Sequence, residues 1–202
     1  MLVLIQKGGP IMWPLLLVSL TALTVAIERM LFILKEKRRR RPDIVGEILG
    51  AAEKGDIPLA IRTGEGCGDF VARTLVYGLT HHDGSVSDAL LRQANRELKR
   101  FSQSLPTLDT IITLAPLLGL LGTVTGMIRA FGLLGQQELE APAVITGGIA
   151  EALIATAFGL GIAIVALLPF NYLNARLEEA RHDIEDAATH LELILMKSGA
   201  GR

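Results

Sequence analysis

The chain has 202 residues, half of them hydrophobic, with a mean hydropathy of +0.43, 21 glycines, a formal net charge of −1 and charged residues still at 20%. That mixture indicates a membrane protein with a sizeable water-facing part, and its basic residues are clustered locally rather than spread over one nucleic-acid-binding face. A single cysteine, Cys67, excludes an internal disulfide framework.

A membrane-spanning helix takes about 20 apolar residues. The first candidate runs from 8 to 27 without a charge and its apolar pattern resumes from 30 to 34, so residues 1–34 read as an N-terminus and a first span. A signal peptide competes, but its apolar core is usually about 7 to 15 residues and its positive charges precede it. Here they follow: Lys35, Lys37, Arg38, Arg39, Arg40 and Arg41 surround the lone Glu36. By the positive-inside rule this run is cytoplasmic, which puts the N-terminus outside.

Residues 35–106 read as a cytoplasmic helical segment. Helical spacing of apolar residues predicts helices over 43–53 and 70–79, separated by "GDIP" and by the glycine-rich "GEGCGD". A third begins at Ser85, three residues before Asp88 as in a capping box, with Leu90, Leu91, Ala94, Leu98 and Phe101 on one stripe. It leads directly into the second span, with Pro106 expected to bend the junction. The chemistry here is sparse. "GEGCGD" lacks the lysine and Ser/Thr of a phosphate loop and reads as a turn. His81 and His82 are adjacent and point in different directions on a helix, with no further ligand at metal-site spacing. Cys67 reads as a small loop residue, and no nucleophile constellation is present, so an enzyme is not expected.

The second span is assigned to 107–131, uncharged from 110 to 128, and the third to 146–175, uncharged from 152 to 175. A loop over 132–145 joins them and a tail over 176–202, read as a C-terminal helix, follows. The fold class is therefore all-α, a polytopic membrane protein with three transmembrane helices and a helical cytoplasmic domain. Three crossings leave the loop outside and the tail inside. Of 20 Lys and Arg only Lys7 and Arg129 then fall outside, while the loop carries Glu138 and Glu140. Trp13 and Tyr172 suit the two interfaces, and Arg129 is expected to snorkel outward.

The spans also carry patterns. Ala115, Gly119, Gly122 and Gly126 recur at helical spacing in the second, and Ala152, Thr156, Gly159, Ala163 and Ala166 in the third. Small-residue stripes let helices approach closely in lipid. They read as packing within one subunit, with some of the surface left for neighbouring copies or a partner helix. Thr123 lies six residues before Arg129 and Thr156 five after Glu151, which puts both roughly 8 to 9 Å inside the outer end of their helices. Each hydroxyl has two readings: satisfied by its own i−4 carbonyl, or part of a polar ring at a constriction. Glu151 is either solvated at the interface or a functional intramembrane carboxylate.

"APLLGLLGTVTGMIRAF" (115–131) and "GGIAEALIATAFGLGIAIVALLPFNYL" (147–173), with "GGPIMWPLLLVSLTALTVAIERMLFI" near the N-terminus, closely resemble the MotA/TolQ/ExbB proton-channel family. Three spans with one large cytoplasmic segment resemble its ExbB/TolQ branch. The resemblance implies a bacterial inner-membrane stator: a homo-oligomer, in the family a pentamer, enclosing the spans of an ExbD/TolR-like single-span partner and driving a TonB- or TolA-like transducer. Protons would be the coupling ion, with no other cofactor. Carried over by motif, Thr123 and Thr156 match partner-facing polar positions and Glu151 the acidic position near the pathway, whereas Arg129 matches no assigned charge. A sodium-driven stator, a non-conducting scaffold and a secondary transporter are the alternatives; the last lacks the internal repeat and broken-helix site such folds show.

Overall fold

The computed structural model describes residues 8–81, 85–132, 141–197 and 199. Lys7, His82, Glu138 and Glu140 lie outside these. Every regular element among the described residues is an α-helix: α1 (Met12–Arg39), α2 (Pro42–Glu53), α3 (Ile57–Gly64), α4 (Phe70–Thr80), α5 (Val86–Ser102), α6 (Leu105–Gly132) and α7 (Ala141–Lys197). Among the described residues three helical stretches, within α1, α6 and α7, are long and apolar enough to cross a membrane. The chain divides into two compact units, Met1–Arg29 with Ser104–Tyr172, and Met30–Gln103 with Leu173–Arg202.

The first unit holds the apolar parts of α1, α6 and α7. Its buried residues are mostly small: Ala22, Ala115, Ala130, Ala152, Ala155, Ala163 and Ala166, beside the larger Met12, Leu15, Leu108 and Ile111. The outer faces keep large apolar side chains exposed, among them Trp13, Leu17, Leu117, Leu120, Ile128, Leu160, Ile164 and Leu168. In water such a surface would aggregate; in lipid it is solvated. Several threonine hydroxyls in these helices turn back onto the backbone of their own helix, which satisfies them away from water. Thr21 donates to the Leu17 carbonyl and Thr24 to that of Leu20, both at 2.8 Å.

The second unit packs the end of α1, helices α2 to α5 and the last part of α7. Ile33, Ile48, Leu75, Leu90, Phe101, Ile184 and Leu191 are buried in it. Phe101 meets Phe32 and Phe70 edge-on, with ring centroids at 5.4 and 5.1 Å, the geometry favoured by the ring quadrupole. The helix starts are encoded locally. Pro42 opens α2, where a missing N–H costs nothing. Asp56 accepts from Leu59 N at 3.0 Å and starts α3, a short helix that the spacing around "GDIP" did not reveal. Ser85 accepts from Asp88 N at 3.4 Å at the start of α5. The break between α5 and α6 falls at Gln103 and Ser104, where Ser104 has φ +65; Pro106 lies in the first turn of α6, so the left-handed serine rather than the proline interrupts the helix.

Candidate functional site

In the first unit the two small-residue stripes face each other. Gly119, Gly122 and Gly126 are buried on α6, and Gly159 is buried on α7. A Cβ added at Gly159 would lie 2.5 Å from the carbonyl oxygen of Ala115 and 3.1 Å from the Gly119 Cα. One added at Gly119 would lie 3.0 Å from the Thr156 Cα, and one at Gly126 would lie 3.1 Å from the Ala152 Cβ. The backbones touch, and only glycine permits that approach. Ala115, Gly119, Gly122, Gly126, Ala152 and Gly159 are thus placed at an intrachain crossing. Ala163 is buried further along α7. A different small-residue set, Ala22 and Ala26 of α1 with Ala157 and Gly161 of α7, lines an apolar cavity of about 710 Å³.

The two threonines behave differently at this crossing. Thr156 is half-buried and donates its hydroxyl hydrogen across to the carbonyl oxygen of Gly119, 2.9 Å away. It therefore pins α7 to α6 where the glycines let them meet. Thr123 donates to Leu120 O of its own helix at 2.6 Å and lines a shallow hollow with Val124, Met127, Ile128 and Phe131. Each hydroxyl oxygen retains acceptor capacity for a water or a protonated carboxyl.

Near the N-terminal end of α7, Glu151 Oε1 accepts from Arg129 Nη1 of α6 at 3.1 Å. The pair is partly exposed, Arg129 at 52% and Glu151 at 28%. Arg129 is thus engaged by a carboxylate rather than simply directed outward. The backbone also closes on this carboxylate: Gly9, at φ +71, leaves no room for a Cβ beside Glu151. The glutamate sits against the turn that precedes α1.

The second unit contains a charged network that the sequence does not announce. Asp69, fully buried, accepts from both ends of a two-residue link and starts a helix at once. Arg40 Nη1 donates to its two oxygens at 2.9 and 2.8 Å, Arg41 N at 2.6 Å, and Val71 N at 2.8 Å. Arg40 also holds Asp183 of α7 at 2.6 Å and lies 4.8 Å from the centre of the Phe70 ring. Of the six basic residues that mark the cytoplasmic side in sequence, Arg40 is therefore also a structural clamp. Arg73 and Arg100 hold Glu97 at 2.8 and 2.6 Å. Burial is the strongest single influence on Glu97 and opposes its charge, but the hydrogen bonds and attraction of both arginines together outweigh it and hold the carboxyl below its ordinary value. "GEGCGD" forms the turn expected of it, and its aspartate is the hub; the one signal was an Asp directly before an apolar helical run, the pattern of a cap. Among the described residues no cluster of His, Cys, Asp or Glu is arranged to hold a metal.

Residues 67–186 match the model of the MotA/TolQ/ExbB proton channel family. The chain is 38% identical over 200 residues to a Synechocystis biopolymer transport protein named ExbB-like 1, covering 93% of this chain and 76% of that one. It is 32% identical over 206 residues to a second protein of that organism, ExbB-like 3, covering 94% and 92%. The Tol-Pal system protein TolQ of Haemophilus influenzae is 35% identical over 108 residues, 54% of this chain and 47% of its own length. The family match and the two Synechocystis matches include the α6–α7 crossing, and with the three apolar helices of the described residues the comparisons place the chain as a membrane protein of the MotA/TolQ/ExbB proton channel family, in its ExbB/TolQ branch.

Proposed function

We propose that this chain is the stator subunit of a proton-driven motor in the bacterial inner membrane, with its N-terminus periplasmic and its tail cytoplasmic. Copies of it form a ring, a pentamer by family resemblance, around the spans of an ExbD/TolR-like partner. Proton passage moves that partner, which acts on a TonB- or TolA-like transducer serving outer-membrane import or envelope maintenance. The observation that carries this reading is the family membership joined to a missing group. No Asp or Glu occurs within 110–128 or 152–175, and Glu151, the nearest carboxylate, is engaged by Arg129. A proton relay at the depth of Thr123 and Thr156 then needs a carboxylate from another chain. A proton crossing roughly 150 mV releases about 3.5 kcal/mol, so passage must be coupled to motion to be useful. Thr123, Thr156 and Glu151 would line the route or the track on which the partner moves.

Co-reconstitution in liposomes tests the mechanism. The homo-oligomer alone is expected to show little proton turnover, and a single-span, aspartate-bearing partner to restore it, with the gain abolished when that aspartate becomes asparagine. Robust proton-coupled work by the homo-oligomer alone overturns the two-component reading. Orientation is tested separately by cysteine labelling of intact spheroplasts in a Cys67→Ala background. Glu138→Cys should react and Lys54→Cys should be shielded; the reverse pattern inverts the topology.

A further inference from the structure

The second unit forms a partly open cavity of about 290 Å³ that Ile33, Phe70, Phe101 and Ala180 line together with six charged residues, Glu36 among them. Glu36 is only 3% exposed. Its Oε1 accepts from Arg100 Nη2 at 3.1 Å. Its Oε2 is buried and meets no hydrogen-bond donor among the described residues. A buried acceptor on a charged group that stays unsatisfied forfeits the full cost of its desolvation, so a donor supplied from outside would relieve it.

The cations around this cavity are engaged elsewhere. Arg40 is held by Asp69 and Asp183, Arg176 pairs with Glu179, and Arg100 is divided between Glu36 and Glu97. Lys37 lines the cavity but is exposed and follows Glu36 by one residue, about 100° around the helix. The aromatic and aliphatic walls donate nothing.

We infer that this cavity binds a primary ammonium group, which donates an N–H to Glu36 Oε2 while its carbon stem lies against Phe70 and Phe101. The chemistry of the site selects that group. One free acceptor oxygen suits a compact ammonium, whereas a guanidinium presents a fork that asks for two. A hard metal ion requires about six oxygen ligands, and the other carboxylates of the lining, Glu179 and Asp183, are already held by Arg176 and Arg40. Aromatic rings beside a carboxylate favour an organic cation. Two sources present such a group, a soluble alkylamine and the headgroup of an aminophospholipid. Glu36 stands two residues beyond Leu34, where the apolar run of α1 ends, which is the level of a headgroup. This inference does not rest on the motor reading.

The test uses the purified oligomer in amine-free buffer. By titration calorimetry ethylammonium should bind once per chain, and tetramethylammonium, which has no N–H, at least tenfold more weakly. Glu36→Gln, and Ala180→Leu, which fills the cavity and leaves the carboxylate in place, should each weaken ethylammonium binding at least tenfold. In nanodiscs, native mass spectrometry should show phosphatidylethanolamine retained over phosphatidylcholine, with the preference lost in Glu36→Gln, if the lipid is the source; binding of ethylammonium without that preference assigns the soluble amine. The comparison of the two ammonium ions needs no variant and decides the matter even if a variant fails to fold. Equal binding of the two ions, no binding of either amine or lipid, or unchanged binding in both variants overturns the inference.

Discussion

Thr156 on α7 donates its hydroxyl hydrogen to the carbonyl oxygen of Gly119 on α6, 37 residues away in sequence and 2.9 Å away in space. Thr123, at matched depth by sequence, spends its hydroxyl on Leu120 of its own helix. Thr156→Val should therefore loosen the α6–α7 crossing by about 1 kcal/mol, the scale of an interhelical hydrogen bond in a membrane, whereas Thr123→Val should be nearly neutral. Unfolding in mixed micelles measures the difference. Both variants are expected to assemble yet lower motor activity when the partner is present; normal activity of the double variant at wild-type expression would make both hydroxyls purely structural.

Gly159 and Gly161 lie two residues apart and give opposite expectations. A methyl at Gly159 would press on the Ala115 carbonyl, while nothing lies within 4 Å of one at Gly161. Gly159→Ala should destabilise the first unit by about 1–3 kcal/mol through forced separation of the helices, and Gly161→Ala should be tolerated. Thermal melts of the two variants in one detergent separate them, and equal melting temperatures would contradict the observed crossing.

Asp69 is fully buried, while its fellow ligand of Arg40, Asp183, is 33% exposed. Asp69→Asn leaves Arg40 without its principal counter-charge and changes the acceptor that holds Arg41 N and starts α4. A loss of about 3 kcal/mol is expected, as when one member of a buried pair is removed. Asp183→Asn should cost less, about 1 kcal/mol or below. Limited proteolysis of residues 40–80 reports the difference directly.

Glu97 gives the second unit an acid-side weakness. Its folded value lies below the ordinary 4.5, so the native state holds this carboxyl ionised more firmly than the unfolded chain does. Its contribution is present above the unfolded value and is lost as pH falls through the lower folded value. Stability should thus decline from about pH 4.5 downward. Glu97→Gln should lower stability at neutral pH and flatten part of that slope; an unchanged slope in melts across this range would remove Glu97 from the acid response.

The three spans, their order and the resemblance to the family are legible from residue order alone, because crossing a bilayer imposes a long unbroken apolar run that local composition reveals. The small residues on one face of each helix and Ser85 at a helix start are legible in the same way, since periodicity and capping act within a few residues. What each face meets is fixed by helix packing. Glycine spacing does not say that Gly159 closes on Ala115, or that Thr156 reaches Gly119 while Thr123 turns inward to its own helix. The run from Arg38 to Arg41 looks uniform in sequence, yet Arg40 alone of the four bridges Asp69 and Asp183, because the chain leaves the helix there and faces both carboxylates. Arg129 and Glu151 pair across 22 positions, and Glu36 is buried with a single arginine. A charge in a sequence carries its sign but not its partner, and partners at long sequence separation are fixed only when the helices pack.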